Sequence, residues 1–359
     1  MSDPASSSAG ELRPTQLQPA HGGACAHALL RHEPEDFQVD EILPFVPPAT
    51  GEHLMVQVRK TGWNTEDVAR RLAEQAGVRR GGVSYAGLKD RHAVTTQWFS
   101  VHSPKPLPSL CAGSLLGDGV EVLSTVRNPR KLRRGALAGN RFCLRLRRVA
   151  PFPGAGGRKA LDRRLEQIAQ HGVPNYFGPQ RFGRAGRNLE QANAWLLHGH
   201  PVRGRNVRGL LISALRAELF NRVLTARVAN GTWSRLIPGD RAILDGRGSH
   251  FPVESVDPTL TRRLAVGNIH PTGPLPGVVA DEPVGRVAEL EAGVLRSADD
   301  WVEALRERGV RADRRALRLM PRRLAWRWSV PDELLVSFAL PPGAYATTVI
   351  AEAFAVETR

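Results

Sequence analysis

The chain has 359 residues, 42% hydrophobic and 24% charged, ordinary globular values that allow roughly two domains and exclude wholesale disorder. A net charge of +15 and a pI near 11.0 point to a polyanionic partner, nucleic acid first. Cys25, Cys111 and Cys143 form no CxxC pair, so neither a disulfide framework nor an all-cysteine metal site is expected, and a reducing compartment fits. The 50 basic residues include only Lys60, Lys89, Lys105, Lys131 and Lys159 as lysines. Compositional drift accounts for that ratio as well as a taste for phosphate does.

Residues 1–22 are rich in Ser, Pro, Ala and Gly and lack apolar periodicity, which reads as a disordered leader. They lack the basic start and continuous apolar stretch of a signal peptide, and no later run is apolar enough to span a bilayer; a cytoplasmic protein is expected. Leu54, Val56 and Val58 alternate with Met55 and Gln57, the pattern of a half-buried strand stopping before Arg59-Lys60. Asn64 stands at an N-cap position, Asp67 can close a capping box, Val68 and Leu72 share a face, and Gly77 ends the helix. Phe142, Leu144 and Leu146 predict a strand whose other face is largely basic and open to RNA or to water. Leu161, Leu165 and Ile168 mark a helix ending at Gly172, a plausible domain boundary. Further helices are predicted from Leu211 to the Asn230-Gly231 stop and over Asp299–Gly309. The chain is therefore mixed α/β, without solenoid repeats.

The densest polar constellation is YAGLKDRHAVTTQWF, residues 85–99, whose ends read as strands and whose centre reads as a loop. Rigidly held loops often carry catalytic groups. Asp90 stands between Lys89 and Arg91, so positive charge favours its ionised form, available as nucleophile or base. Taken alone, the loop reads more readily as a solvated charged turn. His198-Gly-His200 has no third ligand nearby in sequence, so no metal site is expected there.

YAGLKDRHAVTTQWFS resembles the central motif of the TruD family of tRNA pseudouridine synthases. Other blocks resemble the family in the same order: PEDFQVDE (34–41), RNPRKLRRGALAGNRF (127–142), VPNYFGPQRFGRAGRNL (173–189) and ALPPGAYATTVI (339–350). Together they cover about residues 31–350, far more specific than one short motif.

The resemblance implies a pseudouridine synthase fold: an α/β (α+β) catalytic domain with a mainly antiparallel mixed sheet, residues 23–171 and 319–359, interrupted by an inserted α/β domain at 172–318. It implies isomerisation of a tRNA uridine, at position 13, with Asp90 as the essential carboxylate. That reaction breaks N1–C1′, turns the uracil and joins C5 to C1′, needing no cofactor, metal or ATP. The sequence has no GxxxxGKS/T, no HExxH and no dinucleotide fingerprint between strand and helix. Asp90 could attack C1′ or the pyrimidine, or remove the 2′ proton.

A uridine must be extruded to be reached, and Phe37, Asn140, Phe142 and Tyr345 fall at family positions lining the uridine pocket. Phe37 and Phe142 also fit an ordinary core. Asn140 fits the uracil edge, the Asp90 carboxylate, or a simple Gly-Asn turn. Many relatives have phenylalanine at Tyr345. Arg31 takes the place of a basic residue, often lysine, that can pair with the catalytic carboxylate; a surface arginine serving phosphate is the other reading. Arg181, Arg184 and Arg187, mixed with Tyr176, Phe177 and Phe182, suit phosphates and bases, with at least Phe177 expected to be structural. The partner is then tRNA, with no membrane and no obligatory protein partner, and monomer as the default. A basic RNA-binding or RNA-chaperone protein is the alternative; an Asp-based phosphotransferase or hydrolase would need a carboxylate cluster that the sequence lacks.

Overall fold

The computed structural model describes residues 13–278 and 282–358, Thr358 by its backbone alone. The chain divides into two compact units, residues 24–170 with 321–359, and residues 171–320 with the N-terminal segment up to Gly23.

The first unit begins with strands β1 (Ala26–Leu30), β2 (Phe37–Ile42) and β3 (His53–Lys60), helix α1 (Thr65–Ala76), and strands β4 (Val83–Tyr85) and β5 (Val94–His102). It continues through β6 (Leu115–Gly117), β7 (Val120–Asn128) and the long β8 (Gly139–Pro151) into α2 (Gly157–His171). After the second unit come β15 (Arg322–Val330), β16 (Glu333–Leu340), α8 (Ala346–Ala351) and β17 (Phe354–Thr358). One 11-stranded sheet results, in the order β15-β16-β8-β2-β5-β3-β7-β6, with β4 on β5 and β1 between β8 and β17. Only the β1–β17 and β2–β5 ladders are parallel, so the fold is mixed α/β with a mostly antiparallel sheet, as expected.

Period-two alternation builds this sheet. Phe142, Leu144 and Leu146 of β8 are buried, while Arg145 and Arg147 point the other way. The basic face is partly engaged by acids: Arg147 meets Asp36 and Glu33, and Arg145, its side chain 40% exposed, lies 3.8 Å from Glu333. Val68 and Leu72 of α1 pack on Leu54, Val56, Val58 and Phe99. Gly77 takes φ +63° at the helix end, where a left-handed residue lets the chain leave the helix. Two expectations are corrected. Asn64 is the N-cap but makes no cap hydrogen bond; its Nδ2 donates to Asp67 Oδ2 instead, at 3.2 Å, so no capping box forms. Nor does β3 stop at the basic pair: the ladder with β5 continues through Arg59↔Thr96 to Lys60↔Thr95.

The second unit contains β9 (Val173–Pro174), α3 (Arg187–His198), α4 (Arg205–Ala229), β10 (Arg241–Leu244), β11 (His250–Pro252), α5 (Pro258–Ala265) and β12 (Ile269–Leu275). It closes with α6 (Gly285–Leu295), α7 (Asp299–Glu307), β13 (Asp313–Ala316) and β14 (Arg318–Leu319). Its four-stranded sheet runs β11-β10-β12-β13, and a separate ladder pairs β9 with β14, joining the two ends of the unit. Helix α4 is its spine, burying Leu211, Leu215, Leu219 and Val223. Of the expected leader, residues 1–12 lie outside the described residues. Residues 13–22 form neither helix nor strand, yet they are tied to this unit: Thr15 N and Oγ1 donate to Glu218, and His21 Nε2 lies 2.7 Å from Gly172 O.

Candidate active site

The loop between β4 and β5 carries Asp90 and is fixed at almost every residue. The Thr65 hydroxyl accepts from Lys89 N at 2.9 Å and donates to Gln97 Oε1 at 2.9 Å, while Gln97 Nε2 donates to Gly87 O. Gly135 N donates to Ala86 O. Arg91 is held to Gly62 by two bonds, Gly62 N to Arg91 O and Arg91 Nε to Gly62 O. Lys89 turns inward to Glu41 at 2.7 Å, both side chains buried, and the other Glu41 oxygen accepts from Trp98 N at 3.2 Å. Such a loop presents its remaining side chain in one geometry, the requirement for positioned chemistry.

That side chain is Asp90. Its Oδ1 accepts from His92 N at 3.0 Å and its Oδ2 from Arg31 Nη1 at 2.7 Å. Both are charge-assisted bonds of ordinary length. The carboxylate is one-third exposed and Arg31 one-fifth, so the pair is partly screened and serves geometry more than stability. Two of the roughly four acceptor positions of a carboxylate are used by these bonds. Arg31 itself has φ +64°, uncommon for a residue with a Cβ, and its guanidinium lies 4.0 Å over the ring of Phe37. Phe37 meets Phe142 edge-on at 6.1 Å. An unbroken contact chain thus runs from Phe142 through Phe37 and Arg31 to Asp90. Phe37 and Phe142 are 4% and 7% exposed, so they are at once core residues and the wall behind the ion pair.

Asn140 lies in β8, opposite Glu41 on β2 and Leu340 on β16. It is a strand residue and not a turn. Gly139 before it is obligatory, because a Cβ there would stand 2.3 Å from Leu340 O. Asn140 does not bond to Asp90, whose carboxylate is taken by Arg31 and His92 N. Its Oδ1 is buried and has no hydrogen-bond partner, a costly state unless a ligand supplies a donor. Tyr345 is the N-cap residue of α8, and its carbonyl accepts from Thr348 Oγ1 at 2.6 Å.

Sequence reasoning missed Lys60, which is fully buried and donates from Nζ to the main-chain carbonyl of Asp90 at 2.8 Å. Burial pushes its pKa down from 10.5 to about 8, against the pull of the Asp90 carboxylate and helped by repulsion from Lys89. The signal was its phase: Lys60 follows Leu54, Val56 and Val58 at steps of two, on the apolar face of β3. Glu41, Thr65 and Gln97 were missed as well, since nothing in their spacing marks them as props of a distant loop.

In the second unit Arg184 and Arg187 are exposed. Arg181 donates to Ser213 Oγ and lies 5.5 Å from the Phe177 ring centre. Tyr176, Phe177 and Phe182 are all buried, and Phe177 is clasped between Phe220 and Arg315. The aromatic half of this block is therefore structural throughout, and no ring is offered to a base. Among the described residues no group of three or more His, Cys, Asp or Glu is placed to hold a metal.

The mixed, mostly antiparallel sheet is consistent with the fold of a pseudouridine synthase. A solved structure described as tRNA pseudouridine synthase D (TruD) from Methanosarcina mazei superposes with a TM-score of 0.67 at 22% identity, covering 95% of each chain. The family model for tRNA pseudouridine synthase D (TruD) matches residues 21–204 and 202–353. The protein named tRNA pseudouridine synthase D from Nitrosococcus oceani is 48% identical over 93% of this chain and 92% of its own. That from Azotobacter vinelandii is 47% identical over 93% of each, and that from Xanthomonas euvesicatoria 46% over 94% of each. The chain belongs to the TruD family.

Proposed function

We propose that this protein converts a uridine of tRNA to pseudouridine, at position 13, with Asp90 as the essential carboxylate. The observation that carries the assignment is the state of Asp90: a partly exposed carboxylate on a pinned loop, paired with Arg31 at 2.7 Å and retaining free acceptor positions. A carboxylate so held is a competent nucleophile or base at neutral pH. The uridine N1–C1′ bond is broken, the freed uracil turns, and C5 is joined to C1′; the proton leaving C5 is balanced by one gained at N1. The sum is an isomerisation, with no redox partner, metal or ATP required.

The neighbours have roles that follow from their chemistry. Arg31 orients the carboxylate. Phe37 holds Arg31 by its ring face, and with Phe142 it excludes water from the back of the site. Asn140, with a buried oxygen that lacks a donor, accepts from the uracil edge. Tyr345 closes the pocket at the start of α8, its hydroxyl adding a polar contact that phenylalanine would lack. Arg184 and Arg187, both exposed, and Arg181 contribute phosphate contacts, which make tRNA affinity fall with salt. The same reading places the activity in the cytoplasm, carried by a monomer without an obligatory partner. No helix among the described residues is long and apolar enough to cross a membrane.

The test is pseudouridine mapping by carbodiimide labelling on unmodified tRNA, with wild-type protein and Asp90→Asn, in chelator. Conversion by wild type alone, at unchanged tRNA affinity, is expected. Equal conversion by both removes Asp90 from its role, and conversion by neither returns the chain to the RNA-binding reading.

A further inference from the structure

Lys60 and Lys89 are both buried beside the Asp90 loop, and the fold treats them differently. Lys89 ends in an ion pair with Glu41, so its charge is compensated and its place is structural. Lys60 is 0% exposed, and no carboxylate lies within ion-pair distance of it among the described residues. Its hydrogen bond goes to a main-chain carbonyl, that of Asp90. A buried ammonium with so little compensation is unfavourable for folding, and a methionine in the same phase of β3 would fill the space without that cost. What the ammonium adds is a second clamp on one residue. Arg31 and His92 N fix the Asp90 carboxylate, and Lys60 fixes the main-chain carbonyl of the same residue.

We propose that Lys60 is a positioning residue for the reaction: its ammonium locks the Asp90 main chain and sets a positive charge behind the carboxylate, so that turnover depends on Lys60 keeping its proton. This rests on the assignment of Asp90 as the essential carboxylate. The charged groups around the ammonium are the Asp90 carboxylate, which favours the proton, and Lys89, which opposes it. Beyond them, Glu41 neutralises Lys89 and Arg31 neutralises Asp90, while Arg91 Nε is turned to Gly62 O. The site therefore lacks a strong local bias to hold the proton well above neutrality, and its pKa of about 8 places the loss of the active form in an accessible range.

The experiment is the pH dependence of kcat from pH 6 to 9.5 at saturating tRNA, for wild type, Lys60→Met and Asp90→Asn, with tRNA affinity and urea unfolding measured on each. Wild type is expected to lose kcat as pH rises through about 8. Lys60→Met is expected to lose kcat about 10²-fold, the scale of a misplaced catalytic group, with KM and tRNA affinity kept, resistance to urea kept or raised, and no limb near 8. Lys60→Met turning over like wild type with Asp90→Asn inactive removes this inference and leaves the proposed function standing. So does a wild-type kcat that is flat from pH 7 to 9, or a Lys60→Met loss matched by the fraction unfolded. Asp90→Asn as active as wild type, or no conversion by wild type, removes both.

Discussion

Arg31 reaches Asp90 Oδ2 at 2.7 Å from a backbone in the left-handed region, φ +64°. The strand β1 ends one residue earlier, and this reversal swings the side chain across the face of Phe37 towards the loop. Backbone strain at a site contact is consistent with selection for that contact. Replacing Arg31 by leucine is expected to lower the single-turnover rate about 10²-fold. Lysine should fall between, keeping the charge but not the planar fork or the ring stacking. Single-turnover conversion of unmodified tRNA reads this directly; a leucine variant at the wild-type rate would reduce Arg31 to a surface cation.

Asn140 offers a second test. With its Oδ1 buried and without a partner, Asn140→Ala removes the acceptor that the proposed uracil contact uses. Loss of one such bond corresponds to about 1–3 kcal/mol, or roughly 5- to 150-fold in kcat/KM. Steady-state rates on tRNA, with unfolding followed in parallel, check it. Wild-type kcat/KM in the variant would mean that the base is read elsewhere.

The Lys89–Glu41 pair should be visible in stability. Glu41 is 6% exposed and holds both Lys89 and Trp98 N, so Glu41→Gln leaves a buried ammonium without its counter-charge, at a cost of about 3–5 kcal/mol. The double change Glu41→Leu with Lys89→Met should recover much of this. Urea midpoints of the three proteins decide it, and a loss below about 1 kcal/mol in Glu41→Gln would put the pair in the class of exposed ones.

Lys60 carries a pH signature in stability that is separate from turnover. Its folded-state pKa, about 8, lies below its ordinary 10.5, so between these values the unfolded chain holds the proton more tightly and this group's contribution to stability rises with pH. Below about pH 8 the burial cost is fully present. The advantage of Lys60→Met over wild type is therefore largest near pH 7 and shrinks by pH 10. Urea unfolding at the two pH values measures it; a constant difference would show that Lys60 keeps its proton in the folded state.

Period-two and helical patterns made Phe142, Leu144 and Leu146, the α1 face and the α4 spine legible in the sequence, because burial on one face imposes its own spacing. Motif resemblance gave Asp90 and Arg31, which sit 59 positions apart and share no local pattern. What stayed hidden depends on pairing across the sheet. Nothing in the neighbourhood of Glu41 says that it will meet Lys89, 48 positions on. The strand was read as stopping before Arg59-Lys60, because a charge on an apolar face contradicts the alternation rule, and Lys60 was left outside it. The aromatics at 176–182 look like base-stacking groups in composition, and only packing against Phe220 and α4 turns them inward.

The short β9–β14 ladder has a consequence for how the chain folds. Val173 pairs with Leu319 and Pro174 with Arg318, so the second unit starts and finishes on neighbouring residues. Strands β1 and β17 of the other unit pair in register from Ala26↔Phe354 to Leu30↔Thr358, a contact that an unfolded chain would have to close over nearly its whole length. Loop closure and topology make such contacts slow. Once residues 171–320 have folded around their own sheet, that entire segment behaves as a tight turn between α2 and β15, and the remaining strands meet as if they belonged to a chain about half as long.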